Sequence, residues 1–90
     1  MSEHSEQEYS WKEMSVAQRQ IYILSLLSEN PKGYTVADIL SRLDAWGVKV
    51  SAKTINRDLD DLSVDYAIQE DYRNGKTYYY ADKYSLKNVD

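Results

Sequence analysis

The chain has 90 residues, a formal net charge of −4, one histidine and no cysteine. This length supports one small core, and the missing cysteines exclude a disulfide framework, a thiol nucleophile and a Cys/His zinc site. The longest apolar run, residues 21–24, is far shorter than the roughly 20 residues that cross a membrane. Residues 1–8 are acidic and unlike a signal peptide, so we expect one cytoplasmic domain without a membrane partner.

Charge is unevenly distributed along the sequence. Residues 1–16 carry a net charge of −3 and residues 58–72 carry −6, whereas the rest of the chain carries +5. A negative total argues against a nucleic-acid ligand. Because two acidic segments produce that total, the remainder of the chain can still form a basic surface.

The first predicted helix covers residues 16–29, where apolar side chains recur at three- and four-residue spacing. Ser15 begins it with a capping box, and Pro31 marks its end. A second capping-box pattern occupies residues 10–13. Residues 1–14 are therefore expected to be an acidic tail, with a short extra helix as the alternative.

Two further helices follow. Thr35 is the expected N-cap of the second helix, and Gly47 the residue that closes it. Ser51 is the expected N-cap of the third, which spans roughly residues 52–63. The third helix has an apolar stripe formed by Ile55, Leu59 and Leu62.

Residues 66–72 and 77–81 are predicted to form two strands around Asn74-Gly75, the strongest two-residue hairpin signal. A two-residue turn places Arg73 opposite Lys76. One face of the hairpin is then expected to pack on the helices: Ile68, Tyr72, Tyr79 and Ala81. The other face carries Tyr78 and Tyr80, for which stacking on a ligand and simple cover of the sheet are both open.

Three helices followed by a hairpin is the chain order of a winged helix-turn-helix domain, an α+β fold that is mainly helical. In this fold the third helix enters the major groove of DNA and the hairpin forms the wing. We predict the domain over residues 15–83, and residues 84–90 as a C-terminal tail or the start of a linker.

The third helix directs its basic residues away from its apolar stripe. At about 100° per residue, Lys53 and Arg57 lie almost opposite that stripe, where they can contact phosphates or base edges. Thr54 and Asn56 flank them and offer hydrogen bonds, and the free N–H groups next to Ser51 can bind a phosphate. The alternative is an ordinary solvated helix face.

Arg73 and Lys76 oppose each other as two positive charges at the predicted hairpin tip. Their repulsion costs a few tenths of a kcal/mol, which a phosphate bound between them would relieve; a tip charged for solubility is the alternative. Together with the N-cap of the second helix, these residues complete the candidate DNA-binding set: Thr35, Ser51, Lys53, Thr54, Asn56, Arg57, Arg73 and Lys76.

The acidic residues of the third helix do not make a recognisable catalytic or metal site. No histidine, glycine-rich loop or serine–base pair accompanies Asp58, Asp60, Asp61 and Asp65. No catalytic residue, metal ligand, cofactor or small-molecule site is therefore predicted. Asp60 and Asp61 would repel DNA, so contacts should concentrate in the N-terminal half of the helix.

Residues 50–62, VSAKTINRDLDDL, resemble the vSxxTIxRDLxxL recognition-helix segment in the N-terminal winged helix of WYL-domain and DeoR-type bacterial transcription regulators. The similarity extends over about residues 16–83. The resemblance assigns DNA contact to Ser51, Lys53, Thr54 and Arg57. It also places Asn56 at the variable position beside the arginine and matches Asp58 to a structural aspartate.

Two features depart from that family pattern. The link between the second and third helices, residues 45–50, is longer than in compact DeoR-type modules and is also similar to arginine-repressor N-terminal domains. A downstream sensor domain is missing, so we expect either a fragment of a longer regulator or a small free-standing one.

The residues and the resemblance together predict a cytoplasmic transcriptional regulator, such as a repressor, that binds double-stranded DNA. A homodimer, or part of a longer dimeric regulator, would place two recognition helices about 34 to 36 Å apart. Trp11, Met14 and the tyrosine-rich hairpin are candidate dimer contacts. The principal alternative is a winged helix used as a protein-interaction module, which the acidic balance and the tyrosine content favour.

Overall fold

The computed structural model describes the backbone of residues 14–86 and the side chains of residues 14–82. Its elements in chain order are α1 (Val16–Glu29), α2 (Val36–Ala45), α3 (Ala52–Asp65), β1 (Tyr66–Arg73) and β2 (Lys76–Leu86). The fold is α+β and mainly α, with three helices followed by an antiparallel hairpin. This is the predicted winged helix layout. The capping-box pattern at residues 10–13 and Trp11 lie outside the described residues.

All three helices begin at the predicted caps. In each case the hydroxyl of the cap residue accepts a hydrogen bond from the backbone N–H three residues later, over 3.1 Å at Ser15, 3.0 Å at Thr35 and 3.1 Å at Ser51. Each bond satisfies one of the donors that a helix start leaves unpaired. Gly47, at φ 81°, follows the end of α2. Helix α3 continues to Asp65, slightly further than the apolar periodicity indicated.

The core lies where the apolar faces of the three helices meet the hairpin. Ile23 and Leu27 of α1, Ile39 and Leu43 of α2, and Ile55 of α3 are fully buried. Met14 is half-buried against this cluster, so part of its side chain belongs to the core. None of the helices in the described part of the chain is long and apolar enough to cross a membrane.

A single residue between α1 and α2 adds a third strand position that the sequence pattern did not reveal. Tyr34 pairs with Tyr79 of β2 through two backbone hydrogen bonds of 2.9 and 2.8 Å. Gly33 allows this approach because it has φ +86° and because a Cβ there would lie 3.0 Å from the Tyr79 carbonyl oxygen. The segment between the first two helices is thereby held against β2.

The hairpin has the predicted register at its tip. Arg73 lies opposite Lys76, and Asn74 and Gly75 both have positive φ, as a two-residue turn with the twist of the flanking strands requires. Strand β2 is longer than predicted, because a register shift between Tyr66 and Ile68 allows Tyr66 to pair with Leu86. The strand therefore continues past the predicted domain end at residue 83.

The expected packing of the hairpin face on the helices is correct for three residues and wrong for Tyr72. Ala81 is buried, and Ile68 and Tyr79 are half-buried against the core. The side chain of Tyr72, by contrast, is 73% exposed. Residues 69–72 are all exposed, since β1 runs away from the helices as it approaches the turn.

Candidate nucleic-acid interface

Helix α3 has one buried side and one exposed side. Ile55, Leu59 and Leu62 are buried, whereas Lys53, Asn56 and Arg57 are exposed. Among the described residues, none forms a hydrogen bond or an ion pair with those three exposed side chains. The helix therefore presents two cations and an amide whose full hydrogen-bonding capacity is directed to solvent.

The start of α3 combines a hydroxyl cap with free backbone donors. Ser51 Oγ accepts the Thr54 N–H and lies 3.1 Å from Thr54 Oγ1, so the two hydroxyls already contact each other. The N–H groups of Ala52 and Lys53 have no acceptor within the helix, as in the first turn of any α-helix. These donors and the positive end of the helix dipole can receive a phosphate oxygen.

A largely buried ion pair fixes the rotation of α3. Asp58, only 1% exposed, accepts hydrogen bonds from Nε and Nη2 of Arg19 on α1, the latter over 2.9 Å. Gln20 adds a third bond to the carboxylate at 3.2 Å. The bond to Asp58 raises the pKa of the Arg19 guanidinium, and the loss of hydration on burial opposes this only partly. Because Asp58 is held on the inner side, Lys53 and Arg57 must face outward.

The resemblance assigned a structural role to Asp58 without naming its partner. Arg19 was not identified as the partner of Asp58. It precedes Ile23 by four positions and so lies beside the apolar stripe of α1. An arginine and an aspartate, each next to the buried stripe of its own helix, are the sequence signal for such a pair.

The C-terminal half of α3 is acidic on its exposed side. Asp60, Asp61 and Asp65 are all exposed, and Gln20 donates to Asp61 over 3.2 Å. Negative charge at these positions repels the phosphate backbone. Any contact that α3 made with DNA would therefore be restricted to its first turn and a half.

The two cations at the hairpin tip have different surroundings. Lys76 is exposed and has no hydrogen-bond or ion-pair partner among the described residues. Arg73 stacks on the Tyr78 ring, lies beside the Asp71 carboxylate and donates to the carbonyl oxygen of Lys32. Since Asp71 compensates one of the two positive charges, the repulsion expected between them is weaker than the sequence suggested.

The remaining candidate, Thr35, is occupied as the N-cap of α2. Its hydroxyl accepts the Asp38 N–H, and its own N–H donates to the Asp38 carboxylate, both over 3.0 Å. The structure thus groups five of the candidate residues on one helix: Ser51, Lys53, Thr54, Asn56 and Arg57. The other three lie on separate elements. Within the described residues, no group of three or more histidine, cysteine, aspartate or glutamate side chains could hold a metal ion.

Tyr79, behind α3, makes a contribution to stability that depends on pH in the alkaline range. Burial first, and then the charges of Glu70 and Asp60, raise the pKa of its phenol above the ordinary value of 10.0. The neutral phenol is favoured in the folded protein, so this contribution to stability is present below pH 10 and is lost as pH rises through the raised pKa.

We expect the melting temperature to fall less between pH 9 and about pH 11.5 in Tyr79→Phe than in the wild type, because phenylalanine cannot ionise. The backbone pairing with Tyr34 is retained in this variant. Tyr72→Phe, at an exposed site, is the control and should follow the wild-type curve. Equal losses in Tyr79→Phe and the wild type would show that ionisation of Tyr79 does not contribute to the loss of stability.

Comparisons with protein-family models, with curated proteins and with solved structures found no match to this chain. The candidate interface therefore rests on the side chains of α3 and the hairpin themselves.

Proposed function

We propose that this protein binds double-stranded DNA through the N-terminal half of α3, as a cytoplasmic transcriptional regulator. The observation that carries the proposal is the exposed set of Lys53, Asn56 and Arg57, which have no hydrogen-bond or ion-pair partner among the described residues and lie opposite a helix side fixed by Ile55 and Asp58. In a winged helix domain this is the helix that enters the major groove.

The residues divide into contacts that give affinity and contacts that read sequence. Lys53, Lys76 and the free N–H groups after Ser51 suit phosphate oxygens, which supply salt-dependent affinity. Asn56 and Arg57 can reach base edges, where an amide pairs with adenine and a guanidinium with guanine in bidentate fashion. The acidic second half of α3 keeps the helix from lying flat along the groove.

A regulator similar to the WYL-domain and DeoR-type proteins fits this division. One small interface of this kind gives weak binding, which pairing of two recognition helices on a palindromic site strengthens. We therefore propose that the functional unit is a homodimer or part of a longer dimeric regulator.

A second candidate function is docking to another protein. It is favoured by two exposed aromatic side chains, Tyr72 at 73% and Trp46 at 45%, together with the acidic side of α3. Aromatic anchors of this kind are enriched in protein interfaces. The two candidates use different surfaces, so a binding map distinguishes them.

Titration of the isotope-labelled protein with a mixed-sequence duplex of about 20 base pairs, followed by backbone NMR, tests the proposal. At roughly 50 mM salt, where non-specific binding is strong, we expect shifts at residues 51–57 and at Lys76. Signals of residues 60–65 should stay in place. No shifts at low salt, or shifts confined to Tyr72, Trp46 and the acidic segment, would contradict DNA binding by α3.

A further inference from the structure

The guanidinium group of Arg73 is held by three different parts of the chain. Its central carbon lies 3.9 Å from the centroid of the Tyr78 ring. Its Nε is buried and lies 3.0 Å from a carboxylate oxygen of Asp71, an ion-pair contact without hydrogen-bond alignment. Its Nη2 donates to the carbonyl oxygen of Lys32. Two contacts lie within the hairpin, and the third reaches the turn between α1 and α2.

The turn that receives Arg73 is itself held by Asn30. The Asn30 side chain accepts the Lys32 N–H over 3.0 Å and donates to the Gly33 carbonyl over 3.3 Å, while the Gly33 N–H donates to the Asn30 carbonyl over 2.9 Å. Gly33 also touches β2, since a Cβ there would lie 3.1 Å from the Tyr78 Cβ. The Lys32 carbonyl is therefore a fixed acceptor.

The same turn leads directly into the helix-turn-helix unit. Tyr34 pairs with Tyr79, and Thr35 is the N-cap of α2. The hairpin is thus attached to this segment at two points, the Tyr34–Tyr79 bridge and the Arg73–Lys32 bond. The second attachment lies nearer the tip, where residues 74–76 are exposed.

Arg73 and Lys76 are poorly matched as equivalent phosphate ligands. The side chain of Arg73 is 37% exposed and beside a carboxylate, so binding a phosphate would require it to leave its stacking and ion-pair contacts. Lys76 is exposed and has no such partner among the described residues. An ammonium group on a flexible stem can follow a phosphate without disturbing the fold.

We propose that Arg73 is a positioning residue, which fixes the hairpin against the α1–α2 turn so that Lys76 makes the phosphate contact at the tip. This inference rests on the proposed DNA binding and gives the two residues different roles in that interface. It assigns the charge at the tip to Lys76 and the orientation of the tip to Arg73.

A double-mutant cycle on duplex binding tests this division. Lys76→Ala should reduce the salt slope, the change in log affinity per change in log salt concentration, by about 0.9, the value for one phosphate contact. Arg73→Ala should weaken binding by no more than Lys76→Ala does. Because Arg73 acts through Lys76, the double variant should bind like Lys76→Ala alone. Additive losses, with a slope reduced by about 1.8, would show that Arg73 has its own phosphate contact.

A second measurement needs no DNA. Arg73→Lys keeps the charge but lacks the planar fork and its stacking surface. We expect the amide hydrogens of Tyr34 and Tyr79 to exchange at least about tenfold faster in both Arg73 variants, from the loss of a charge-assisted bond and a cation–π contact. Lys76→Ala should leave both amides unchanged. Unchanged exchange of the Ile23 amide in every variant is the control that the core stays folded.

The outcomes separate this inference from the proposed function. Wild-type affinity and wild-type exchange in Arg73→Lys would overturn the positioning role, since the charge alone would then be sufficient. If the wild type did not bind duplex DNA at low salt, the proposed function would fail, and with it the role of Arg73 in DNA binding. The exchange rates would still decide whether Arg73 holds the hairpin against the turn.

Discussion

Replacing Asp58 with alanine should lower the free energy of unfolding by about 3 kcal/mol, because it leaves the guanidinium of Arg19 buried without its partner. The side chains of Arg19 and Asp58 are 12% and 2% exposed, so solvent can do little to replace the lost contacts. A domain of this size typically has only about 5 to 10 kcal/mol of stability. Chemical denaturation of the wild type and the variant measures the difference.

Asp61→Ala is the matched control for this experiment. It removes the same charge from the same helix, but Asp61 is exposed, and Gln20 is its one hydrogen-bond partner in the part of the chain that the structure describes. We expect a change within about 0.5 kcal/mol. Equal effects of the two substitutions would contradict the anchoring role of Asp58.

A double substitution shows why Asp58→Ala loses stability. The loss can come from leaving Arg19 charged and unpaired, or from losing the attraction between the two charges. Arg19→Met with Asp58→Leu replaces both charges by apolar side chains of similar length, and buried ion pairs exchanged in this way are often neutral in stability. The double variant should therefore be more stable than Asp58→Ala. An arginine guanidinium stays charged well above pH 10 with or without Asp58, so the effect of Asp58→Ala should not fade between pH 7 and 10.

The elements that the sequence predicted correctly are those with local signals. Each helix cap depends on residues three apart, as at Ser15, Thr35 and Ser51. The hairpin register from Arg73–Lys76 to Ile68–Ala81 follows from Asn74-Gly75, since a two-residue turn fixes the pairs on either side of it up to the register shift before Ile68. The outward direction of Lys53 follows from the helical period alone.

The features that the sequence did not predict depend on contacts between distant residues. Arg19 and Asp58 are 39 residues apart, and Arg73 and Lys32 are 41 apart. The local pattern marks Arg19 and Asp58 as residues beside a buried stripe, but it does not show that the two side chains contact each other. The strand position at Tyr34 was missed for a related reason, because a one-residue bridge has no alternation of apolar and polar side chains.

The positions of the candidate-site residues were predicted better than the contacts that their side chains make. All five α3 candidates lie together at the start of that helix, as the apolar stripe required. The tip pair, Arg73 and Lys76, was correctly paired, but the different surroundings of the two side chains were not predicted. Arginine is a residue type that suits a DNA contact, but the Arg73 side chain contacts Tyr78 and Asp71 within the protein.

Loss of both exposed cations of α3 is the second large effect that we expect. Lys53→Ala with Arg57→Ala should weaken duplex binding at least about 30-fold, since each such contact contributes on the order of 1 to 3 kcal/mol. Both side chains are exposed, so the stability of the fold should change by less than about 0.5 kcal/mol.

The control pair is Arg42→Ala with Lys49→Ala, which removes the same net charge. Arg42 lies over the Tyr34 ring, and Lys49 forms an ion pair with Asp44, so both cations are already engaged within the protein. Only long-range attraction to the duplex should change, with a loss of affinity of a few-fold at low salt.

The central claim is tested most directly by measuring duplex affinity across a range of salt concentrations for the wild type, the Lys53/Arg57 variant and the control pair. We predict salt-sensitive binding by the wild type, a slope reduced by about 0.9 in the Lys53/Arg57 variant for the lost Lys53 phosphate contact, and a nearly unchanged slope in the control. Negligible wild-type binding at low salt, or equal affinity of the two double variants, would contradict DNA recognition by α3.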